Sequence, residues 1–148
     1  MSQVRATVEI DAPPDRVWKV VSDPRNLPRW DRHIIAVTGV PDRTLRQGDE
    51  YVTDLRFMGV RGKSRAKVLE VRDGRYAKIR LSGLLSAVVE TRLEPIGEGR
   101  TRLDQRIEYR FVGGPIGRIA AGAVQRLGAS TVLRRGVLAQ KRQVEQGS

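Results

Sequence analysis

Residues 101–111 alternate between charged side chains and side chains that are apolar or only weakly polar. The charged set is Arg102, Asp104, Arg106, Glu108 and Arg110. The other set is Thr101, Leu103, Gln105, Ile107, Tyr109 and Phe111. Because successive side chains of a strand point to opposite faces, the segment is predicted to be a strand with one wet face and one buried face. A sheet built on this strand needs other elements to cover its buried face.

Segments of similar character precede this strand. Residues 3–10 alternate in the same way and predict a first strand. The later segments are separated by short stretches rich in Gly, Pro and Asp: His33–Val40, Glu50–Met58, Arg61–Arg72, Arg75–Ser82, Leu84–Glu94 and Arg100–Val112. Short connections of this kind join neighbouring antiparallel strands, so the pattern predicts an antiparallel meander.

The alternation also predicts which side chains point to the buried face of the sheet. From three strands the inward set includes Tyr51, Thr53, Leu55, Phe57, Val89, Thr91, Gln105, Ile107, Tyr109 and Phe111. Its polar members are neutral groups that can hydrogen-bond a carbonyl or a hydroxyl. No Arg points inward in this frame, although a β-bulge could return Asp54 or Arg110 to the inner face.

Helices are predicted at both ends of the chain. Two short ones, Arg16–Ser22 and Arg25–Trp30, follow the first strand. After a Gly-Gly-Pro break the apolar period becomes helical, which predicts one helix of about thirty residues, from Ile116 to about Glu145. The residues of this helix predicted to face the sheet include Ile119, Ala120, Ala123 and Leu127.

These helices leave a curved sheet incompletely covered. The long helix presents small residues to the sheet and contains four glycines, Gly117, Gly122, Gly128 and Gly136. An internal helical glycine costs about 0.8–1.0 kcal/mol relative to alanine, so these positions need a structural reason. Because a straight helix cannot follow a strongly curved sheet everywhere, we expect a cavity between them. Close packing of the helix on the sheet is the alternative.

Length and composition limit the class of protein. With 148 residues, we expect a single domain spanning residues 1–148. The chain has no cysteine, and its one histidine, His33, cannot supply a multi-histidine site, so we predict no metal and no cofactor. The N-terminus lacks the apolar core of a secretory signal, and no apolar run approaches the ~20 residues of a membrane span. A soluble cytoplasmic protein is therefore expected.

The charge of the chain is strongly unbalanced. It has 28 Lys and Arg against 17 Asp and Glu, a net charge of +11. Two tracts without acidic residues, 56–67 and 113–144, carry much of the excess. Such surfaces favour anionic partners, so docking to an anionic membrane surface is one hypothesis. RNA or the ribosome is a less favoured partner, because few aromatic residues lie among the basic ones. A solvated surface without a partner is the simplest interpretation.

Two N-terminal motifs are similar to those of a known superfamily. They read V-E-I-D-A-P-P-D-R-V-W, from Val8 to Trp18, and S-D-P-R-N-L-P-R-W-D, from Ser22 to Asp31. The chain resembles the START and Bet v 1-like superfamily (SRPBCC), which includes polyketide cyclase/dehydrase-like and lipid-transfer proteins. The resemblance implies an α+β helix-grip fold, in which a curved six- to seven-stranded antiparallel sheet grips a long C-terminal helix around an apolar tunnel. The two short helices after strand 1 would close one end, with Trp30 where they meet the sheet.

This superfamily contains carriers, sensors and enzymes, so the fold alone does not decide the function. We predict that the cavity binds an apolar small molecule of polyketide, isoprenoid or fatty-acyl type, as a carrier or sensor. The alternative is a polyketide cyclase/dehydrase-type enzyme that catalyses aldol cyclisation or dehydration, with Tyr109 and His33 as candidate catalytic residues. Cyclases of the superfamily often use a cavity Arg, and its absence from the predicted inner face favours binding.

The residues predicted to contact the ligand come from the strands and helices that face the cavity. They are Trp30, Tyr51, Thr53, Leu55, Phe57, Val89, Thr91, Gln105, Ile107, Tyr109, Phe111, Ile119, Ala120, Ala123 and Leu127. Exposed strand edges and the helix surface could each pair with a second copy, so the sequence allows either a monomer or a homodimer.

Overall fold

A computed structural model shows a seven-stranded antiparallel sheet that curves into a half-barrel. The structure describes residues 2–57, 59–83, 85–111, 115, 118, 121–122 and 128–146. The strands are β1 (Ser2–Ile10), β2 (Ile34–Thr38), β3 (Glu50–Phe57), β4 (Val60–Arg72), β5 (Tyr76–Gly83), β6 (Leu85–Gly97) and β7 (Arg100–Phe111). Their order in the sheet is β1-β7-β6-β5-β4-β3-β2, so consecutive strands pair from β2 to β7 and β1 pairs with β7. The predicted antiparallel meander is confirmed.

Irregular pairing helps the strands to bend. The register shifts between Ile34 and Ala36, between Val68 and Glu70, and between Pro95 and Gly97. Such irregularities bend a strand and increase its twist. None of them lies at Asp54 or Arg110, so both residues keep the outward orientation that strict alternation predicts.

Three α-helices are described: α1 (Pro14–Val21), α2 (Leu27–Trp30) and α3 (Ala129–Glu145). A 3-10 turn at Pro24–Asn26 joins the first two, and the side chain of Asp23 caps it by accepting the backbone N–H of Arg25 at 3.1 Å. The proline at the first position of α1 suits a helix start, because that backbone nitrogen has no partner within the helix. The two predicted short helices are therefore present.

The predicted single helix from Ile116 to about Glu145 is not continuous. Its last part, α3, begins at Ala129 and has 17 residues. Gly128 lies just before it with φ +77°, outside the right-handed helical region. Glycine adopts such a conformation easily, so Gly128 can precede the first turn of α3 without strain. Of the residues before it, Pro115, Arg118, Ala121 and Gly122 are helical, whereas Ile119, Ala120, Ala123 and Leu127 lie outside the described residues.

The sheet and helices share a tightly packed core at one end of the inner face. Its centre is Ile10, Val17, Leu103, Val137 and Val144, each at most 1% exposed. We call these five residues the packed end. Thr101 beside them is fully buried, and its hydroxyl donates to the carbonyl of Ala12 at 2.7 Å. The start of β7 is thereby tied to the chain just before α1.

Candidate functional site

The other end of the inner face is hollow. A cavity of about 300 Å³ lies between the inner face of the sheet and α1, α2 and α3. Strand residues form most of its wall: Val4, Ile34, Tyr51, Thr53, Leu55, Ser64, Val71, Ala77, Ile79, Leu81, Val89, Thr91, Gln105, Ile107 and Tyr109. Helices and loops contribute Trp18, Val21, Ser22, Pro24, Leu27, Trp30, Asp31, Leu45, Val132, Leu133, Gly136 and Gln140.

The predicted contact residues fall into two groups. All of those whose side chains the structure describes line the cavity: Trp30, Tyr51, Thr53, Leu55, Val89, Thr91, Gln105, Ile107 and Tyr109. Phe57 and Phe111 lie at the ends of β3 and β7, but their side chains are not among the described ones. The four residues predicted from the first part of the long helix also lie outside the described residues. Contact with a ligand stays a prediction for the whole set.

Several lining residues were not predicted, although some carried a signal. Gln140 belongs to a helical stripe with Leu133, Val137 and Val144, spaced by four, three and four residues. A polar residue within an otherwise apolar stripe indicates a buried hydrogen-bonding site. Ser64 carried a similar signal. It is a polar residue of β4 at a position that alternates with exposed basic residues, which places it on the inner face. Leu45 lies in the connection between β2 and β3, and nothing in its local sequence indicated burial.

Two glutamines and a threonine form a hydrogen-bonded group in the cavity wall. The Nε2 atom of Gln105 donates to Oε1 of Gln140 at 3.2 Å, and Nε2 of Gln140 donates to Oε1 of Gln105 at 3.3 Å. Gln105 also donates to the hydroxyl oxygen of Thr91 at 3.3 Å. All three residues are less than 10% exposed. The pair links β7 to α3 across the cavity, and it leaves a second N–H on Gln140 and the hydroxyl hydrogen of Thr91 available to a guest.

Tyr51 is buried without a hydrogen-bonding partner among the described residues. It is 5% exposed and lies in the cavity wall on β3. Burial alone raises the pKa of its phenol well above the usual value. The phenol therefore stays neutral, and its O–H is a donor that a ligand can use.

Trp30 and the Asp31–His33 pair occupy the helical side of the cavity. The indole Nε1 of Trp30 donates to Oε1 of Gln143 at 2.8 Å, which fixes α2 against α3. The carboxylate of Asp31 accepts the backbone N–H of His33 at 2.9 Å and lies 2.8 Å from its Nδ1. Asp31 lines the cavity and His33 does not, so the histidine lies behind the carboxylate. Asp31 is also the only charged residue among the described ones in the wall.

The basic residues of β4 lie on the outer face of the sheet. Arg61, Lys63, Arg65 and Lys67 are exposed and alternate with buried residues, and Arg80 of β5 lies opposite Lys67. Within the part of the chain that is described, no three His, Asp or Glu side chains are grouped as a metal site. None of the described helices has the length and apolar character needed to cross a membrane.

Comparison with known proteins gives a family and a fold. The family model for polyketide cyclase/dehydrase and lipid transport matches residues 1–145. None of the curated proteins matches the sequence.

Solved structures of similar fold include TTHA0849 from Thermus thermophilus, with 19% identity, a TM-score of 0.78 and 99% of each chain covered. A START superfamily protein from Mycobacterium smegmatis has 20% identity, a TM-score of 0.71 and 99% of each chain covered. Zhui aromatase/cyclase from a Streptomyces species has 16% identity and a TM-score of 0.70, covering 99% of this chain and 98% of that one. At these identities the likeness shows the fold, and the predicted helix-grip architecture is confirmed.

Proposed function

The chain belongs to the polyketide cyclase/dehydrase and lipid transport family, and on that premise we propose that its cavity binds an apolar small molecule, as a carrier or a sensor. The observation that carries the proposal is the cavity itself, about 300 Å³ of space inside a chain of 148 residues. Its wall is mostly aliphatic and aromatic, with a few neutral polar groups and the carboxylate of Asp31, which is typical of small-molecule sites. Polyketide, isoprenoid and fatty-acyl compounds are all apolar molecules of the kind that such a wall binds.

The small side chains of the wall support the same function. Gly136 of α3 and Ala77 of β5 both line the cavity, where larger residues would fill it. A Cβ atom at Gly136 would meet no atom nearer than the carbonyl oxygen of Trp30, at 4.0 Å. A dry void loses packing energy, so a cavity kept open by small residues is expected to have a guest. We expect the protein to act in the cytoplasm, as a monomer or homodimer.

Mass spectrometry of co-purifying compounds tests this proposal. The protein and its Gly136→Leu variant, whose added side chain enters the cavity, are purified in parallel and extracted with organic solvent. We expect at least one apolar compound to be enriched in the wild-type extract and absent from that of the variant. Identical extracts from two equally folded proteins would contradict the proposal.

An enzyme using the same cavity is the second candidate, supported by the Asp31–His33 pair. A carboxylate that orients a histidine is a common arrangement for a general base. In an aldol closure, His33 would take a proton from the carbon beside a ketone, and Tyr109 would hydrogen-bond the developing enolate oxygen. Tyr109 lines the cavity, whereas His33 would have to reach past Asp31.

Turnover of a linear poly-β-ketone, followed by chromatography of cyclised products, separates this enzyme from a carrier. The enzyme hypothesis requires that His33→Gln abolish product formation and that Tyr109→Phe reduce it with little loss of stability. No turnover by the wild-type protein would leave the carrier or sensor function.

A third candidate function uses the outer face of the sheet. The row of exposed cations on β4, with Arg80 beside Lys67, supports docking to an anionic membrane from which an apolar ligand is collected. Pelleting with phosphatidylglycerol vesicles, and not with phosphatidylcholine vesicles, is expected at low salt. Absence of pelleting at low salt would exclude this role, and binding to ribosomes instead would assign the surface to RNA.

A further inference from the structure

Among the described residues, the polar side chains of the cavity wall are neutral apart from the carboxylate of Asp31, and we propose that the site selects neutral ligands with an acceptor oxygen, such as ketones, over carboxylates. The proposal rests on the binding function proposed above and narrows its ligand class. Oxygenated polyketides and isoprenoids satisfy it, whereas free fatty acids, which are ionised at neutral pH, do not.

Tyr51 is the first observation that points to an acceptor oxygen. Its side chain lies in the wall of the cavity, 5% exposed, and its hydroxyl bonds to no other described residue. Buried polar groups in folded proteins nearly always have a partner. A ligand carbonyl that accepted the phenolic hydrogen would satisfy this donor. An aliphatic chain without oxygen would leave it unpaired.

The charges around the cavity disfavour an anion. Of the described residues that line it, none is Lys or Arg, and Asp31 contributes a carboxylate. The basic residues of β4, by contrast, are exposed on the outer face of the same sheet. A carboxylate in the cavity would lose its hydration, gain no cation and lie in the field of Asp31. A ketone oxygen is neutral, so it needs only a hydrogen-bond donor and no cation.

The glutamine pair supplies donors at a second position. Gln140 has one N–H and Thr91 has its hydroxyl hydrogen beyond the bonds of the Gln105–Gln140–Thr91 group. The pairing of the strands places Tyr51 and Gln105 in different rows of the inner face, separated by the apolar row of Val4, Ile79, Val89 and Ile107. A ligand with an apolar body and oxygens toward its ends fits this arrangement.

Three matched compounds test the selection: 2-decanone, decane and decanoate. Each is titrated at neutral pH, and its dissociation constant is measured by displacement of the neutral fluorescent probe N-phenyl-1-naphthylamine. We expect 2-decanone to bind on the order of fivefold to tenfold more tightly than decane, as one buried hydrogen bond allows. Decanoate should bind more weakly than either.

Tyr51→Phe identifies the donor. It removes only the hydroxyl oxygen, so it should reduce the advantage of 2-decanone over decane to about twofold or less. Tyr76→Phe is the matched control, because Tyr76 is also buried but its hydroxyl donates to Glu90 at 2.9 Å and does not line the cavity. Tyr76→Phe should keep the full preference for the ketone.

The outcomes separate this proposal from the binding function on which it rests. If none of the three compounds displaces the probe, the apolar binding function fails. If decanoate binds as tightly as 2-decanone, binding stands and selection for neutral ligands is overturned. If Tyr51→Phe keeps the ketone preference, Tyr51 is not the donor. Should that variant unfold, the ratio of ketone to carboxylate affinity in the wild-type protein decides the question.

Discussion

The two ends of the inner face use the same strands and the same helix in different ways. At the packed end, β7 contributes Leu103 and α3 contributes Val137 and Val144, all at most 1% exposed. On a neighbouring face of α3 and a few residues along β7, Gly136, Ile107 and Tyr109 line the cavity instead. One continuous layer of sheet and helix is therefore dense at one end and hollow at the other.

The difference shows how a small domain keeps an empty space. The packed end buries large aliphatic side chains that fit each other, and this burial stabilises the fold. The wall of the cavity is also mostly aliphatic and aromatic, but it includes small residues such as Ala77 and Gly136. It also includes polar groups that bond each other, such as Gln105 and Gln140. On the proposed function, the dense half of the core stabilises the fold and the hollow half binds the ligand.

Truncating one side chain at each end of the inner face should give the largest difference in the free energy of unfolding. Leu103→Ala removes a fully buried side chain and should cost about 2–5 kcal/mol in the free energy of unfolding. Ile107→Ala, on the same strand face beside existing space, should cost about 1 kcal/mol. Urea denaturation of both variants measures the difference. Equal losses would show that the two ends are packed alike.

Breaking the Gln105–Gln140 pair should give the next largest change in the free energy of unfolding. Gln140→Leu leaves the buried amide of Gln105 without its main partner and should cost about 1–3 kcal/mol. Adding Gln105→Leu removes the unpaired group, so the double variant should recover part of that loss. A double-mutant cycle from urea denaturation measures the coupling. Strictly additive losses would mean that the pair contributes nothing as a unit.

Substitution by alanine should have opposite effects on stability at two glycines, one within α3 and one just before it. Gly136→Ala should stabilise the protein by about 0.8–1.0 kcal/mol, because the new methyl group meets only the Trp30 carbonyl oxygen at 4.0 Å. Gly128→Ala should destabilise it by about 1–2 kcal/mol, because alanine tolerates φ +77° poorly. Thermal unfolding of both variants measures the signs, and the same sign at both positions would contradict the helix start at Ala129.

Acid should loosen the loop that carries Leu45 over the cavity. Arg43 and the backbone N–H of Arg46 lower the pKa of Asp49 to about 2, from an ordinary 3.8. Because the folded pKa is the lower one, the stabilisation is present above about pH 3.8 and is lost as the pH falls toward 2. Asp49→Asn should remove that part of the acid dependence, about 0.2–1 kcal/mol for a pair at the surface. Unfolding measured between about pH 5 and 2, as set by these pKa values, gives the comparison, and an unchanged profile would exclude Asp49 as a contributor.

Much of the fold and part of the site followed from the sequence, because strand alternation determines which face a side chain occupies. It predicted Tyr51, Thr91 and Gln105 in the cavity wall. It did not predict the break at Gly128, because the apolar periodicity continues through that residue. The periodicity of side chains does not report backbone dihedral angles. Nor does alternation measure burial: Asp104 points outward as predicted, yet Arg5 and Thr7 cover it and leave it 8% exposed.

Loop and helix residues of the wall were harder to predict for a different reason. Leu45 and Trp18 reach the cavity only because the chain brings the β2–β3 connection and α1 over the sheet. That placement depends on contacts between residues far apart in sequence. Neither segment has a local sequence pattern that predicts this placement.

Titration with N-phenyl-1-naphthylamine tests most directly the claim that this half of the core is a binding site. We expect saturable fluorescence enhancement with one site per chain in the wild-type protein and in Gly136→Ala. Gly136→Leu, which fills the cavity from α3, should lose binding at least tenfold while unfolding at a similar urea concentration. Equal, saturable binding by all three proteins would place the probe elsewhere and contradict a binding site in this half of the core.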